Sequence, residues 1–292
     1  MTQDNHDKER DPVTGIETTG HEWDGLRELN IPAPRWWLWV FFATFIFSVG
    51  YWIVYPAWPT LANATKGAWA WTQFTELKEQ QAEVAAQQAQ YVTRFDQASL
   101  GQISADKELY EFARVGGAVA FRDNCAACHG TGAAGGRGYP NLNDDDWLWG
   151  GSLDEIYTTI RYGIRGGHEK GHEGNMAGWK DVLKADDVDH VADYVMHLPE
   201  GDAAPKGVAY ESGKKIFTEN CTVCHGNNGE GNSSVGAPRL NDAIWLYGGS
   251  KAAIVATIMG GRAGVMPVWE WRLDNRTIKE LAIYVHSLGG GK

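Results

Sequence analysis

Basic charge is scarce in this chain. Lys and Arg number 26 against 37 Asp and Glu, a net charge of −11 over 292 residues. That argues against nucleic acid as a partner and suits a basic protein instead. Cysteine is scarcer, four residues at positions 125, 128, 221 and 224, so none is left over for a structural disulfide. Methionine is limited to five, which leaves few thioethers for any role that needs one. From Trp36 to Tyr55 no residue carries a charge, and residues 36–65 hold no histidine. Residues 1–35 show no clear periodicity before Trp23. A polar, acidic arm of that kind is expected to be mobile.

The few cysteines stand in one phrase used twice: Cys125-Ala126-Ala127-Cys128-His129 and Cys221-Thr222-Val223-Cys224-His225. Cys-x-x-Cys-His is the attachment signature of a c-type haem. Two thiols on one helical turn can each add to a vinyl group, and the adjoining His then lies under the iron as proximal ligand. A redox disulfide or a zinc site would need no His directly after the second Cys. Two covalently bound haems c are expected, held by Cys125, Cys128 and His129 and by Cys221, Cys224 and His225.

The uncharged run from Trp36 to Tyr55 is twenty residues. At about 1.5 Å per residue it spans a hydrocarbon core of ~30 Å. Trp36, Trp37 and Trp39 mark one end and Trp52, Tyr55 and Trp58 the other, as interfacial belts do. Pro56 and Pro59 stop the helix. Ala62-Asn63-Ala64 looks like a cleavage site, but the long acidic stretch before the apolar run does not suit a signal peptide. Arg27 and Arg35 against Lys66 and Lys78 leave the charge rule nearly tied. Because bacterial c-type haem is attached outside the cytoplasmic membrane, the expectation is an inner-membrane, single-pass protein with a cytoplasmic N-terminus and periplasmic haem domains. Residues 69–100 read as a helix with an irregular apolar stripe (Trp71, Phe74, Leu77, Val84, Tyr91, Phe95). It would pack on a partner subunit or a haem domain, or stay solvated.

Two copies of one design follow. Gly117 and Phe121 precede Cys125 by the offsets at which Gly213 and Phe217 precede Cys221. Pro140-Asn141-Leu142-Asn143-Asp144 matches Pro238-Arg239-Leu240-Asn241-Asp242, and Trp147-Leu148-Trp149-Gly150-Gly151-Ser152 matches Trp245-Leu246-Tyr247-Gly248-Gly249-Ser250. Each copy closes with one apolar helical face, Val188, Val191, Ala192, Val195, Leu198 against Ile278, Leu281, Ala282, Val285, Leu288. Asp186 or Asp187, and Asp274 or Asn275, are plausible N-caps. Gly117 and Gly213 would let the first helix cross the closing helix at close range under Tyr194 or Tyr284, an arrangement that resembles the class I cytochrome c fold.

The expected architecture is mainly α. It comprises a cytoplasmic arm (1–35), a transmembrane helix (36–58), a helical stalk and linker (59–106), and two tandem class I cytochrome c domains (107–199 and 207–292) joined by a linker (200–206).

Met176 and Met266 occupy matching loops with a Trp three residues on, so both are expected as axial ligands opposite His129 and His225. Met196 and Met259 read as core. His168 and His172 lie in an insertion, 166–174, that the second copy lacks, and would compete only if the first haem were bis-His. The carbonyls of Pro140 and Pro238 could orient the ligating imidazoles, or be ordinary turns. Each Met lies between its own haem motif and its own closing helix, so self-contained modules are expected, Met176 over the His129 haem and Met266 over the His225 haem. A crossed arrangement remains open to repeats on a short linker. The run Asp144-Asp145-Asp146 suggests an acidic docking face, or simply a solvated loop.

The N-terminal run Gly20-His21-Glu22-Trp23-Asp24-Gly25-Leu26-Arg27-Glu28-Leu29-Asn30, then Pro34-Arg35-Trp36-Trp37-Leu38-Trp39, resembles the dihaem subunit of cbb3-type cytochrome c oxidases, the CcoP or FixP family. The similarity continues through the membrane helix, the Tyr55-Pro56 exit and both haem modules. The resemblance implies a chain that takes electrons from a donor cytochrome c and passes them to a monohaem subunit. They would go on to the oxygen-reducing haem–copper centre of the large subunit. The absence of histidine in 36–65 agrees with a relay that has no catalytic site of its own. A free dihaem shuttle, or a dihaem peroxidase with an open iron position, are the alternatives from other classes.

Overall fold

A computed structural model describes residues 9–205 and 207–289. The chain divides into two compact units, 1–87 and 88–292. In the first, β1 (Thr18–Trp23) pairs antiparallel with β2 (Leu26–Leu29). The turn between them is Asp24-Gly25, both at positive φ (48° and 83°), the combination that suits a tight hairpin. Glu22 and Arg27 face each other across it, Oε2 to Nε 3.1 Å. The arm expected to be mobile thus contains a hairpin at 18–29, which the Asp-Gly pair signals; residues 1–8 of it lie outside the described residues.

Helix α1 (Arg35–Val54) has no buried residue and is long and apolar enough to cross a membrane. It ends at Val54 rather than at residue 58. After it the chain loops back, so that the amides of Ala68 and Trp69 donate to the carbonyls of Ile53 and Val54 (2.9 and 3.2 Å). Carbonyls orphaned at a helix end are thereby satisfied. Gly67 permits the approach: a Cβ there would meet the Val54 carbonyl oxygen at 2.3 Å. Trp52 and Trp58, and Tyr55 with Trp69 and Trp71, form edge-on ring contacts at this end, as an interfacial belt would.

Helix α2 (Gln73–Gln97) starts exposed, with Phe74, Leu77 and Val84 in the open. Its last turns belong to the second unit. There Phe95 is fully buried with Ile103 of α3 (Leu100–Ala105) and Leu109 and Ala113 of α4 (Lys107–Asn124). Ser99 and Gln102 form a capping box on α3, and Asp106 caps α4 by accepting from the amides of Glu108 and Leu109. The chain continues through α5 (Ala126–His129), α6 (Leu153–Tyr162), α7 (Ala185–Met196), a 3-10 turn (Leu198–Ala203), α8 (Val208–Asn220), α9 (Thr222–His225), α10 (Lys251–Gly260) and α11 (Asn275–His286). Asp274 caps α11 through the Thr277 amide at 2.8 Å. The α7 cap position is instead Lys184, without a side-chain bond. Asp186 and Asp187 lie in the first turn of α7, where they complement the helix dipole.

The closing helices are exchanged between the repeats. Helix α11, at the end of the second copy, packs on α4 and α6 of the first; α7, at the end of the first copy, packs on α8 and α10 of the second. A Cβ on Gly117 would meet the Glu280 carbonyl oxygen at 2.2 Å and Tyr284 Cβ at 2.6 Å. A Cβ on Gly213 would meet the His190 carbonyl oxygen at 2.0 Å and Tyr194 Cβ at 2.9 Å. The glycine role expected from the sequence is therefore present at both crossings, with the partner drawn from the other copy. Phe121, Ile156, Ile160, Trp269, Ile278, Leu281 and Val285 make one core; Val188, Val191, Phe217, Ile254 and Ile258 are in the other.

The α4–α11 crossing also buries a carboxyl. Glu280 is 9% exposed, with its side chain over Gly116. Burial pushes its pKa from 4.5 up to about 7, against the pull of Arg276 and with the help of Asp274 and Asp96. An unfolded chain releases this proton near 4.5 while the folded one holds it until about 7, so stability falls as pH rises between those values. Replacing Glu280 with Gln should remove that loss and stabilise the protein at pH 8 by on the order of 2 kcal/mol, read as a Tm increase that disappears at pH 4. An equal effect at both pH values would contradict the assignment.

Candidate functional site

In each repeat the first helix runs into the haem motif without a break. Cys125 terminates α4, and α5 is a single turn in which the amides of Cys128 and His129 bond the Cys125 carbonyl (3.1 and 3.0 Å). Cys221 terminates α8, and Cys224 and His225 repeat the pattern at 3.2 and 3.0 Å. Gly130 and Gly226, at φ 78° and 77°, stop the turn. Both thiols and the imidazole are thereby set on one turn. Cys125 and Cys221 are half-buried, and burial pushes both thiols up to about 11; Cys128 and Cys224 are exposed.

The two imidazoles are oriented alike. His129 Nδ1 lies 3.1 Å from the Pro140 carbonyl oxygen, and His225 Nδ1 lies 3.0 Å from that of Pro238. A carbonyl can only accept, so each Nδ1 carries the proton and each Nε2 keeps a free lone pair. Burial lowers the pKa of both rings and keeps them neutral, the form a metal requires.

Two cavities hold these groups. One is lined by Cys125, His129, Ile156, Ile160, Met266 and Leu281. The other, about 1060 Å³, is lined by Cys221, His225, Met176, Trp179, Ile254 and Ile258. The first is narrower, about 90 Å³. A neutral imidazole nitrogen and a thioether in an apolar wall are the donors a haem iron takes, and the thiols beside each imidazole would tether the ring through its vinyl groups. The residues present fit that group in both places. Met266 accompanies His129 and Met176 accompanies His225, which corrects the expectation that each module closes on itself.

The crossover explains the pairing. Gly163 and Gly261, at φ 72° and 68°, end α6 and α10 in equivalent ways and send both chains across. The two segments then pass antiparallel. Ile164 and Met266 exchange backbone bonds of 3.0 Å each, and Met176 and Arg262 exchange bonds of 2.9 Å each. Arg165 Nε donates to the Gly264 carbonyl at 2.7 Å, and another of its guanidinium nitrogens bonds the Gly174 carbonyl. The insertion 166–174 braces the crossing. His168 accepts from the Lys170 amide at Nδ1 (2.9 Å) and donates from Nε2 to Glu270 (2.7 Å), beside the Arg161–Glu270 pair. His172 lies 2.9 Å from Thr159 Oγ1 and stacks on Trp149 at 4.2 Å. Neither His168 nor His172 lines either cavity. Met196 and Met259 pack against the core, as expected.

The acidic run is not a uniform surface. Asp145 is exposed, but Asp144 accepts from the Asp146 amide, and Asp146 lines both cavities. That placement was not visible in a run of three acids read as a docking face.

Paired cytochrome c domains and, among the described residues, one helix long and apolar enough to cross a membrane make this a membrane-anchored c-type cytochrome. Residues 15–62 match the N-terminal domain of cytochrome oxidase-cbb3, FixP, and residues 114–195 and 208–285 match cytochrome c oxidase, cbb3-type, subunit III. The cbb3-type cytochrome c oxidase subunit FixP of Bradyrhizobium diazoefficiens is 51% identical over 286 residues, covering 97% of this chain and 98% of that one. FixP of Azorhizobium caulinodans is 50% identical over 290 residues, 98% and 99% of the two chains. The subunit CcoP of Azospirillum sp. strain B510 is 49% identical over 293 residues, 97% and 98%. The chain belongs to the cbb3-type cytochrome c oxidase subunit III family, whose cofactor is haem c and whose cytochrome c domains serve electron transfer.

The exchange has a direct consequence for truncation. A chain ending at Pro205 keeps α4 and α7 but loses their partners α11 and α8. It should show no cooperative thermal transition by circular dichroism, because both glycine-lined crossings are gone. A sharp transition like that of the full chain would contradict the exchange.

Proposed function

We propose that this chain carries two covalently bound haems c and relays electrons within a cbb3-type oxidase. One haem is tethered by Cys125 and Cys128 and ligated by His129 and Met266; the other is tethered by Cys221 and Cys224 and ligated by His225 and Met176. The observation that carries the reading is the pairing of one neutral, carbonyl-oriented His with one Met in each of two apolar cavities. Bound haem supplies a one-electron iron couple. The chain supplies the rest: Pro140 and Pro238 hold the imidazoles, Met266 and Met176 would each give an iron a thioether, and the apolar walls exclude water. With Met266 and Met176 bound beside the imidazoles, neither iron would offer peroxide or oxygen an open position, and the chain would have no catalytic site of its own.

The donor is a cytochrome c of basic surface, matched to the net charge of −11. The acceptors are the monohaem subunit and, through it, the haem–copper centre of the catalytic subunit. Helix α1 anchors the chain in the bacterial inner membrane, with the N-terminus cytoplasmic and the haem domains periplasmic.

Purification from native membranes in gentle detergent tests this reading. The chain should bring the haem–copper and monohaem subunits with it, and the separated, denatured chain should give two c-type haems by pyridine haemochrome. One haem per chain, or a chain that leaves the membrane without those subunits, would contradict it.

A further inference from the structure

The stretch from Pro140 to Leu148 is a wall shared by the two cavities: Pro140, Asn141, Asp146 and Leu148 line both. Asp146 is the one acid in that shared set. Its counterpart in the second repeat is Ile244, so the acid is not part of the common design. Its backbone amide is taken by Asp144 Oδ1 at 3.2 Å. Among the described residues its carboxyl is in no ion pair; Arg239, whose charge pulls on it, lies 3.7 Å from Asp242. Arg137, Arg165 and Arg262 line other parts of the larger cavity, and the ligand imidazoles His129 and His225 each line one cavity.

We propose that Asp146 is a proton-binding group common to the two haem sites, which ties the reduction potentials of both to pH. The inference rests on the two-haem reading above. A carboxylate in the wall between two irons stabilises the charge that each carries when oxidised. When an electron from the donor cytochrome reduces either iron, that attraction is lost and Asp146 binds a proton from solvent. When the electron leaves for the next subunit, the proton returns to solvent. One electron and at most one proton move, and no other bond changes.

The titration range is set by the surroundings. Burial, with repulsion from Asp242 and Asp144, raises the carboxyl from 3.8 to about 6, while Arg239 pulls it down. Well below that range the acid is neutral with the iron in either state. Well above it the acid is ionised in both. Between, reduction takes up protons, so both potentials fall as pH rises.

The test is a spectroelectrochemical titration of the full chain in detergent from pH 5 to 8, with haem content measured on the same samples. Both haems of the wild-type chain should show potentials that fall with pH around 6. Asp146→Asn should flatten both curves and hold them at the low-pH level. Asp146→Glu should restore a slope, and Asp145→Asn, an exposed neighbour, should leave the wild-type curves unchanged. A pH-independent wild type would overturn the proposal. So would a slope that survives Asp146→Asn, a change in one haem only, or an equal change in Asp145→Asn. Should Asp146→Asn not load haem, a wild-type slope that Asp146→Glu leaves in place and unshifted would overturn it. A wild-type haem count of one would instead refute the two-haem reading.

Discussion

The close crossing of two helix pairs sets the rest of the second unit. At Gly117 and Gly213 the backbones come so near that any side chain would strike a carbonyl oxygen. Helices that approach this closely bury their apolar faces fully and leave Phe121 and Phe217 in the angle between them, each almost wholly buried. The haem motif begins where the first helix of each pair ends, so the crossing sets Cys125 with His129, and Cys221 with His225, in the wall of a cavity. Tyr284 and Tyr194 complete the contact, with their rings 5.4 and 5.3 Å from Phe121 and Phe217.

Neither repeat supplies both members of its own pair. The exchange makes the two sites one folding unit, joined by the backbone bonds of the crossing segments. It also brings the loops of the two copies face to face. Trp149 of the first copy packs against Gly236 of the second, and Tyr247 of the second lies over Gly138 of the first. An electron carrier gains from such an arrangement, because two sites that share a wall keep a fixed separation. His168, which bonds Glu270 of the second copy beside Arg161, comes from the insertion found in the first copy alone.

Much of this was legible in the residues. The doubled Cys-x-x-Cys-His, the uncharged run from Trp36 and the matched Met loops each carry one chemistry at one spacing. Their elements appear where periodicity placed them, within a few residues. The pairing of copies was not legible, for a physical reason. Helices α7 and α11 present apolar residues at identical spacing, so either could cover Gly117 or Gly213. What sets the partner is the crossing segments, and their insertion has no periodicity to read. The β1–β2 hairpin has a single local signal, Asp24-Gly25, in an arm whose charge and polarity show no strand periodicity. The inward turn of Asp146 has no sequence signal, since a run of three acids does not show which one lines a cavity.

The central claim is that each cavity is closed by the other repeat. The most direct measurement uses a chain that carries only the first haem, with Cys221 and Cys224 changed to Ser. Its oxidised spectrum should show the weak red band of a Met–iron bond. The exchanged fold predicts that Met266→Ala abolishes this band and that Met176→Ala leaves it in place. Loss of the band in Met176→Ala, with the band intact in Met266→Ala, would contradict the exchange.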